Sequence, residues 1–395
     1  MLKQGVSRRS FLKRTVGGAL ALSAVPIGFN VWGQNNINAA WVYLTSPGDA
    51  GWTFRHDEGR KFAAAGMGGA VITSVAENVS DADAERVVRN FASQGFDITF
   101  ATSFGFMDGT LAVAEEFSEL SFEHCSGFKT TNNMGNYFGR MFQARYLSGI
   151  VAGLMTETNQ LGYVAAIPIP EVVRIANAFY LGAKSVNPDV TMNVVGLGSF
   201  FDPPKARELA FALIDGGADV VTMHEDTPAV PQAAQDRGVF SVSYQSDMSS
   251  FAPDSHITGV EWNWGPYYLE TLQLLQDGKL KDVSPRVVWS GLDDDTFSTS
   301  LVDIVNKTGG GDSGQINEDL IGRVRDQNKV NEILDALAAA RSTLVNSTTG
   351  GNEIFEGVVN ALTGEAGFDG IPSDGDLLGM TFPVEGVSGA SFFGS

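Results

Sequence analysis

Three short runs carry residue types that could do chemistry. Residues 51–60, "GWTFRHDEGR", set Trp52 ahead of His56, Asp57 and Glu58. Residues 224–226 put His224, Glu225 and Asp226 in a row, and "GGGDSGQ" holds Asp312, Ser313 and Gly314. Acid–base or metal chemistry needs several such groups converging on one point. Consecutive residues at a strand end point to alternate sides, so 224–226 do not converge by themselves. None of the four histidines (His56, His124, His224, His256) forms H-x-x-x-H or pairs with a cysteine at ligand spacing. The Asp-Ser-Gly string belongs to the nucleophile loop of an all-β protease fold, whereas this chain alternates strand with helix. There is no P-loop, no G-x-S-x-G elbow and no G-x-G-x-x-G after the first strand. No catalytic residue, metal or cofactor is expected. His56, Asp57 and Glu58 fall inside a helix, where the two acids suit its first turn.

A different pattern lies in the loops that follow the strands. They read "SPGDAGW" (46–52), "TSFGFMDG" (102–109), "EHCSGF" (123–128), "IPIPE" (167–171), "GSFFDPP" (198–204), "HEDTPAV" (224–230), "SYQSDM" (243–248) and "EWNWGP" (261–266). Aromatic and acidic residues recur, and Lys and Arg are absent. Arg55 and Arg174, just inside helices, are the nearest cations. In open parallel sheets ligands bind at the carboxyl ends of the strands. An anionic ligand would call for Arg forks or bare helix N-termini. Rings and carboxylates instead suit a flat ligand, neutral or cationic, that stacks and donates N–H groups.

The elements that would hold these loops follow from periodicity. Strand-like runs at 41–45, 70–75, 97–102 and 120–124 alternate with helical patterns at 52–65, 81–94 and 107–118. A long helix is expected over 136–157. A second series follows, with strands at 161–168, 191–198, 219–224, 238–244 and 256–264 and helices at 171–186, 203–215, 227–237 and 265–277. Such a βαβ series predicts parallel sheets covered by helices. Two series in tandem, joined near 157–161 with a second crossing at 262–266, predict two lobes. The expected division is 1–40 as an export signal, 41–157 with 264–290 as the first lobe, and 158–263 as the second. Residues 291–395 would be an extension, partly packed across the lobes and partly flexible, with helices at 296–306 and 325–341.

The first 40 residues carry "SRRSFLKR" and then a weakly apolar Gly/Ala-rich run, the order of a twin-arginine export signal. Cleavage is expected near Ala39–Ala40. It would take the net charge from −20 to about −25, because residues 1–40 hold five Lys/Arg and no acid. Nucleic acid and anionic membranes are poor partners for so acidic a chain with no basic stripe. No later run is apolar enough to span a bilayer, so no stable membrane insertion is expected after signal removal. One cysteine, Cys125, allows no intrachain disulfide.

Several collinear stretches then carry a family likeness: "GDAGWTFRHDEGR", "FATSFGFMD", "IPIPEVVRIANAFYLGAKSVNP", "FFDPPKARELAFALIDGGADVVTMHEDTPA" and "EWNWGPYY". From about residue 40 to 290 the chain resembles the basic-membrane-protein family of substrate-binding proteins, closest to its purine and nucleoside branch. The resemblance implies an α/β, type I periplasmic-binding fold of two Rossmann-like lobes joined by a hinge. It implies a monomer in the periplasm that encloses a purine-like ligand and delivers it to an ABC permease. It implies Trp52 and Phe200 as the stacking rings, with Phe201 the alternative to Phe200. Asp247 and Asp226 would be ligand acceptors, and Phe104, Glu171, Tyr244 and Trp264 further loop contacts. Lysine is absent from "HEDTPAV" and "SYQSDM", which favours a free base over a nucleoside. Two other readings stand beside this one: a quaternary amine or polyamine in an aromatic cage, and a nucleoside hydrolase-type enzyme.

Overall fold

The computed structural model describes residues 36–292, 302–304 and 315–394. The twin-arginine motif and Asp312–Gly314 lie outside the described residues. In the first lobe β1 (Ile37–Val42), α1 (Trp52–Gly66), β2 (Val71–Ala76), α2 (Ala84–Ser93), β3 (Ile98–Ala101), α3 (Met107–Glu116), β4 (Ser121–Cys125) and β5 (Met134–Gly139) follow one another. All of these strand pairings are parallel. β1 lies between β3 and β2, and its alternate residues face two cores: Ile37, Ala39 and Trp41 one, Ala40 and Val42 the other. A strand covered on both faces reads as a continuous apolar run.

This register corrects the cleavage site expected near Ala39–Ala40. Both alanines are fully buried inside β1, so a cut there would delete most of a central strand. The strand also begins before the expected 41.

The expected helix at 136–157 is corrected too. Asn136–Gly139 belong to β5, and α4 (Met141–Met155) starts only after Arg140. α4 packs on α5 (Pro170–Val186) of the second lobe. Gly149, Gly153 and Gly182 line that crossing, where a Cβ would collide with backbone of the facing helix. The first passage between lobes therefore falls at Arg140, not near 157–161.

The second lobe continues with β6 (Gln160–Ala165), β7 (Thr191–Gly196), α6 (Pro203–Asp215), β8 (Val220–His224), α7 (Ala229–Arg237), β9 (Phe240–Ser243) and β10 (His256–Trp262). The chain then recrosses. α8 (Gly265–Gln276) packs on α1, and after α9 (Leu280–Val283) the strand β11 (Val287–Ser290) pairs with β5. A third passage leads to β12 (Val302–Ile304), antiparallel to β10. A helix was expected there.

The tail forms α10 (Glu318–Val324), α11 (Gln327–Val345), α12 (Asp374–Leu378), β13 (Val387–Ser388) and α13 (Ala390–Phe393). It wraps the second lobe: α11 lies on α4, α12 on α5, and β13 extends the sheet beside β7. The strand orders are β11-β5-β4-β3-β1-β2 and β12-β10-β9-β8-β6-β7-β13. Arg140 ties the tail to two passages. Its guanidinium pairs with Asp374 at 2.6 Å, donates to the Trp289 carbonyl at 3.0 Å and lies 4.2 Å over the Trp289 ring.

One buried acid makes stability pH-dependent. Glu123, inside β4, accepts from the Tyr267 hydroxyl at 2.6 Å. Burial pushes its carboxyl up to about 7, against the opposing pull of Arg286 and that hydrogen bond. Between about pH 4.5 and 7 the folded state holds a proton that the unfolded state has lost. Stability from this group therefore falls as pH rises through that window, by about 3 kcal/mol at most. Glu123→Gln should match the parent Tm at pH 5 and exceed it at pH 8. A gap that does not widen with pH contradicts this assignment.

Candidate functional site

The carboxyl ends of both sheets face one cleft. From the first lobe, Leu44, Trp52, Ser103, Phe104 and Ser126 line it; from the second, Ile169, Glu171, Phe200, His224, Asp226 and Gln245 do. Its empty space is about 410 Å³ measured out to the open side. The lobes touch across it. The Trp52 backbone N–H points at Asp226 Oδ1 at 3.4 Å, and Ser246 donates its hydroxyl to the Ala50 carbonyl at 2.5 Å. The arrangement is a closed one.

Trp52 begins α1, one residue after Gly51, where β1 has turned through a short 3-10 segment at 47–49. Its indole N–H donates to the Thr102 carbonyl at 2.5 Å. Trp262 and Trp264 meet it edge-on at 5.4 and 5.5 Å, and His56 does so at 4.5 Å. Held on these sides, the ring is only 9% exposed. Phe200 comes from the β7–α6 loop, and its carbonyl accepts from the Asp226 N–H at 2.9 Å. Phe201, half exposed, does not line the cleft. Of the two rings, Phe200 is the one that lines it.

Asp226 is buried and accepts from the Gln245 amide at 2.7 Å. Gln245 in turn accepts from the Trp262 indole N–H at 2.7 Å. Trp262 stacks on Trp264 at 4.7 Å across the second passage between lobes. The cleft carboxylate is thus linked to the hinge through one glutamine. Beside it, His224 Nε2 stands 3.6 Å from Glu171 Oε1. Burial holds the imidazole below the usual histidine range, with Glu171 opposing that shift.

Of the eight residues expected at the site, Trp52, Phe104, Glu171, Phe200 and Asp226 line this cleft, and Asp247, Tyr244 and Trp264 do not. Asp247 accepts from the Ser249 backbone at 2.9 Å and hydroxyl at 3.0 Å, which closes its own turn. Tyr244 is fully buried behind the wall, 4.3 Å from the His224 ring. Trp264 is buried between His56 and Trp262 and supports Trp52 from behind. Gln245 takes the position expected of Asp247. After β9 the backbone turns at Gln245 with φ 79°, so the strand's alternation does not extend to 247. His224 and Gln245 sat unselected in two of the quoted loops, while Leu44, Ser103, Ser126 and Ile169 gave no chemical signal.

Among the described residues no Lys or Arg lines the cleft. Arg55 donates to the Trp262 carbonyl at 2.7 Å and Arg174 to the Leu377 carbonyl at 2.7 Å. Among the described residues no group of His, Cys, Asp and Glu is placed to hold a metal. No described helix is long and apolar enough to cross a membrane.

Residues 37–308 match the family described as "ABC transporter substrate-binding protein PnrA-like". The chain belongs to this family. Its members are substrate-binding proteins of ABC transporters, so a small-molecule ligand and a permease partner come with membership. A purine-binding protein of Brucella abortus is 42% identical over 260 residues, which is 66% of this chain and 73% of the relative. A protein provisionally assigned as an ABC transporter glucose-binding protein in Haloferax volcanii is 42% identical over 257 residues, 65% of each chain. Among solved structures, an ABC-transporter solute-binding protein of Aeropyrum pernix is similar in fold. Its TM-score is 0.65 at 19% identity, over 78% of this chain and 91% of that one.

Proposed function

We propose that this family member is an exported binding protein that closes on a purine base and presents it to its permease. The observation that carries the reading is one cleft lined by Trp52 from the first lobe and by Phe200 and Asp226 from the second. Two stacked rings contribute on the order of 1–3 kcal/mol each, and a hydrogen bond to a carboxylate about 1.5–3 kcal/mol. Together they supply about 3.5–9 kcal/mol, so reaching the roughly 8 kcal/mol of micromolar affinity against immobilisation costs also needs burial of the rest of the base between the lobes. The absence of cations from the lining among the described residues favours a neutral ligand over a phosphorylated one, and the lack of a lysine in the loops 224–230 and 243–248 favours the base over its nucleoside. The purine-binding relative supports the same reading. We place the processing site of the exported chain, by the twin-arginine route, upstream of Ile37.

A sugar is the second reading, because a relative of equal identity is assigned to glucose and rings with carboxylates also hold hydroxyl-rich ligands. One panel separates these: thermal unfolding with purine bases, their nucleosides, glucose and choline. At a hundredfold excess over Kd a true ligand adds about 2.7 kcal/mol, a rise on the order of 5 °C in Tm. Purine bases are expected to give that rise. A rise with glucose or choline alone would remove the purine assignment.

A further inference from the structure

The second-lobe wall of the cleft keeps some polar groups that the fold does not use up. Gln245 is committed at both ends, to Asp226 and to Trp262. Glu225 turns away and closes on Thr227, accepting from its backbone at 2.7 Å and its hydroxyl at 3.1 Å. Glu171 and His224 are left. Glu171 stands in the first turn of α5, lines the cleft and is 17% exposed at its side chain. His224 is 1% exposed, and its Nδ1 has no hydrogen-bond partner among the described residues.

Burial favours the neutral form of this imidazole, in which one ring nitrogen carries a proton and the other a lone pair. The Glu171 carboxylate lies 3.6 Å from Nε2, which draws the proton to Nε2 and leaves Nδ1 as an acceptor. Of the two, Glu171 is the one with side-chain surface in the cleft, and its carboxylate only accepts; among the described residues no Lys or Arg lines the cleft to reverse the pattern. An amino group on a purine ring meets such a wall with N–H bonds. A ring carbonyl at the same position meets it lone pair to lone pair, and the buried acceptor stays unpaired.

We propose that Glu171, positioned by His224, reads an exocyclic amino group of the bound base. The cleft then takes amino-purines in preference to the matching oxo-purines. The proposal rests on the purine reading above and adds to it the edge by which the base is chosen.

Calorimetric titration of adenine against hypoxanthine, and of guanine against xanthine, tests it on the full chain. At least one pair is expected to differ tenfold or more in Kd in favour of the amino base. Glu171→Gln, whose amide can turn a donor to a carbonyl, should bring that ratio to within threefold of unity. His224→Phe, which keeps a ring but removes both nitrogens, should lower the ratio while both bases still bind. A merely structural role for His224 would weaken both members of a pair alike and leave the ratio in place. Both pairs binding the parent within threefold would overturn the proposal, as would a ratio unmoved by Glu171→Gln. The parent ratio decides even where a variant folds poorly. If no purine binds at all, the purine reading itself falls and takes this proposal with it, an outcome distinct from indiscriminate purine binding.

Discussion

Trp52→Ala is expected to weaken purine binding at least tenfold and to lower Tm as well. The ring is one half of the proposed stacking clamp, and losing a base–aromatic stack costs about 1–3 kcal/mol. It is also wedged among Trp262, Trp264 and His56, so truncation opens a cavity that costs on the order of 3–5 kcal/mol of stability. The two effects separate by substitution. Trp52→Phe keeps a stacking face and should recover most of the affinity, whereas Trp52→Leu fills space without a π-face and should not. Calorimetry below the unfolding range of each variant makes the comparison. Equal affinities for the Phe and Leu variants would show that the ring packs but does not stack on ligand.

Gly51→Ala is expected to have the second large effect, by a different route. A Cβ at Gly51 would stand 2.6 Å from both Cβ and the carbonyl oxygen of Asp226 in the other lobe. Gly51 has φ −100°, so the added methyl clashes across the cleft without straining its own backbone into the left-handed region. Moving the lobes apart would remove this contact, so the penalty is expected to fall on closure. Affinity should drop tenfold or more. The Tm without ligand should not fall, and X-ray scattering with saturating ligand should show a larger radius of gyration than the parent reaches. Parent-like affinity would mean that the lobes close on ligand without bringing residue 51 against Asp226.

Much of the fold was legible in the chain because most of its strands are parallel and the central ones are covered on both faces. Runs such as "DITFAT" and "DVVTMH" are mostly apolar or β-branched, and Gly, Asp and Pro mark where helices follow. The misplaced elements depend on distant partners. Asn136–Gly139 is helical by local pattern, yet β11, about 150 residues later, pairs with it. The passage at Arg140 was hidden for the same reason, since only packing against α5 assigns α4 to the second lobe. Ala39 and Ala40 look like an export-cleavage site, and small residues also suit a central strand pressed between two cores.

The site divides along similar lines. The family resemblance pointed to Trp52, Phe200 and Asp226, and loop position at the carboxyl ends of the strands added Phe104 and Glu171. Loop position could not tell a ring that meets ligand from one that props it, so Trp264 and Tyr244 were chosen with Trp52. Nor could it show the backbone turn at Gln245 that takes Asp247 out of the cleft. His224 is legible as chemistry only once Glu171, more than 50 positions earlier, is seen 3.6 Å away.

Native mass spectrometry of the protein, first as purified and then with an equimolar mixture of purine bases, glucose and choline, tests the central claim most directly. One purine base per chain is expected to be retained, and Trp52→Ala is expected to release it under the same conditions. Retention of glucose or choline in place of any purine, or of a purine that Trp52→Ala holds equally well, would contradict the account.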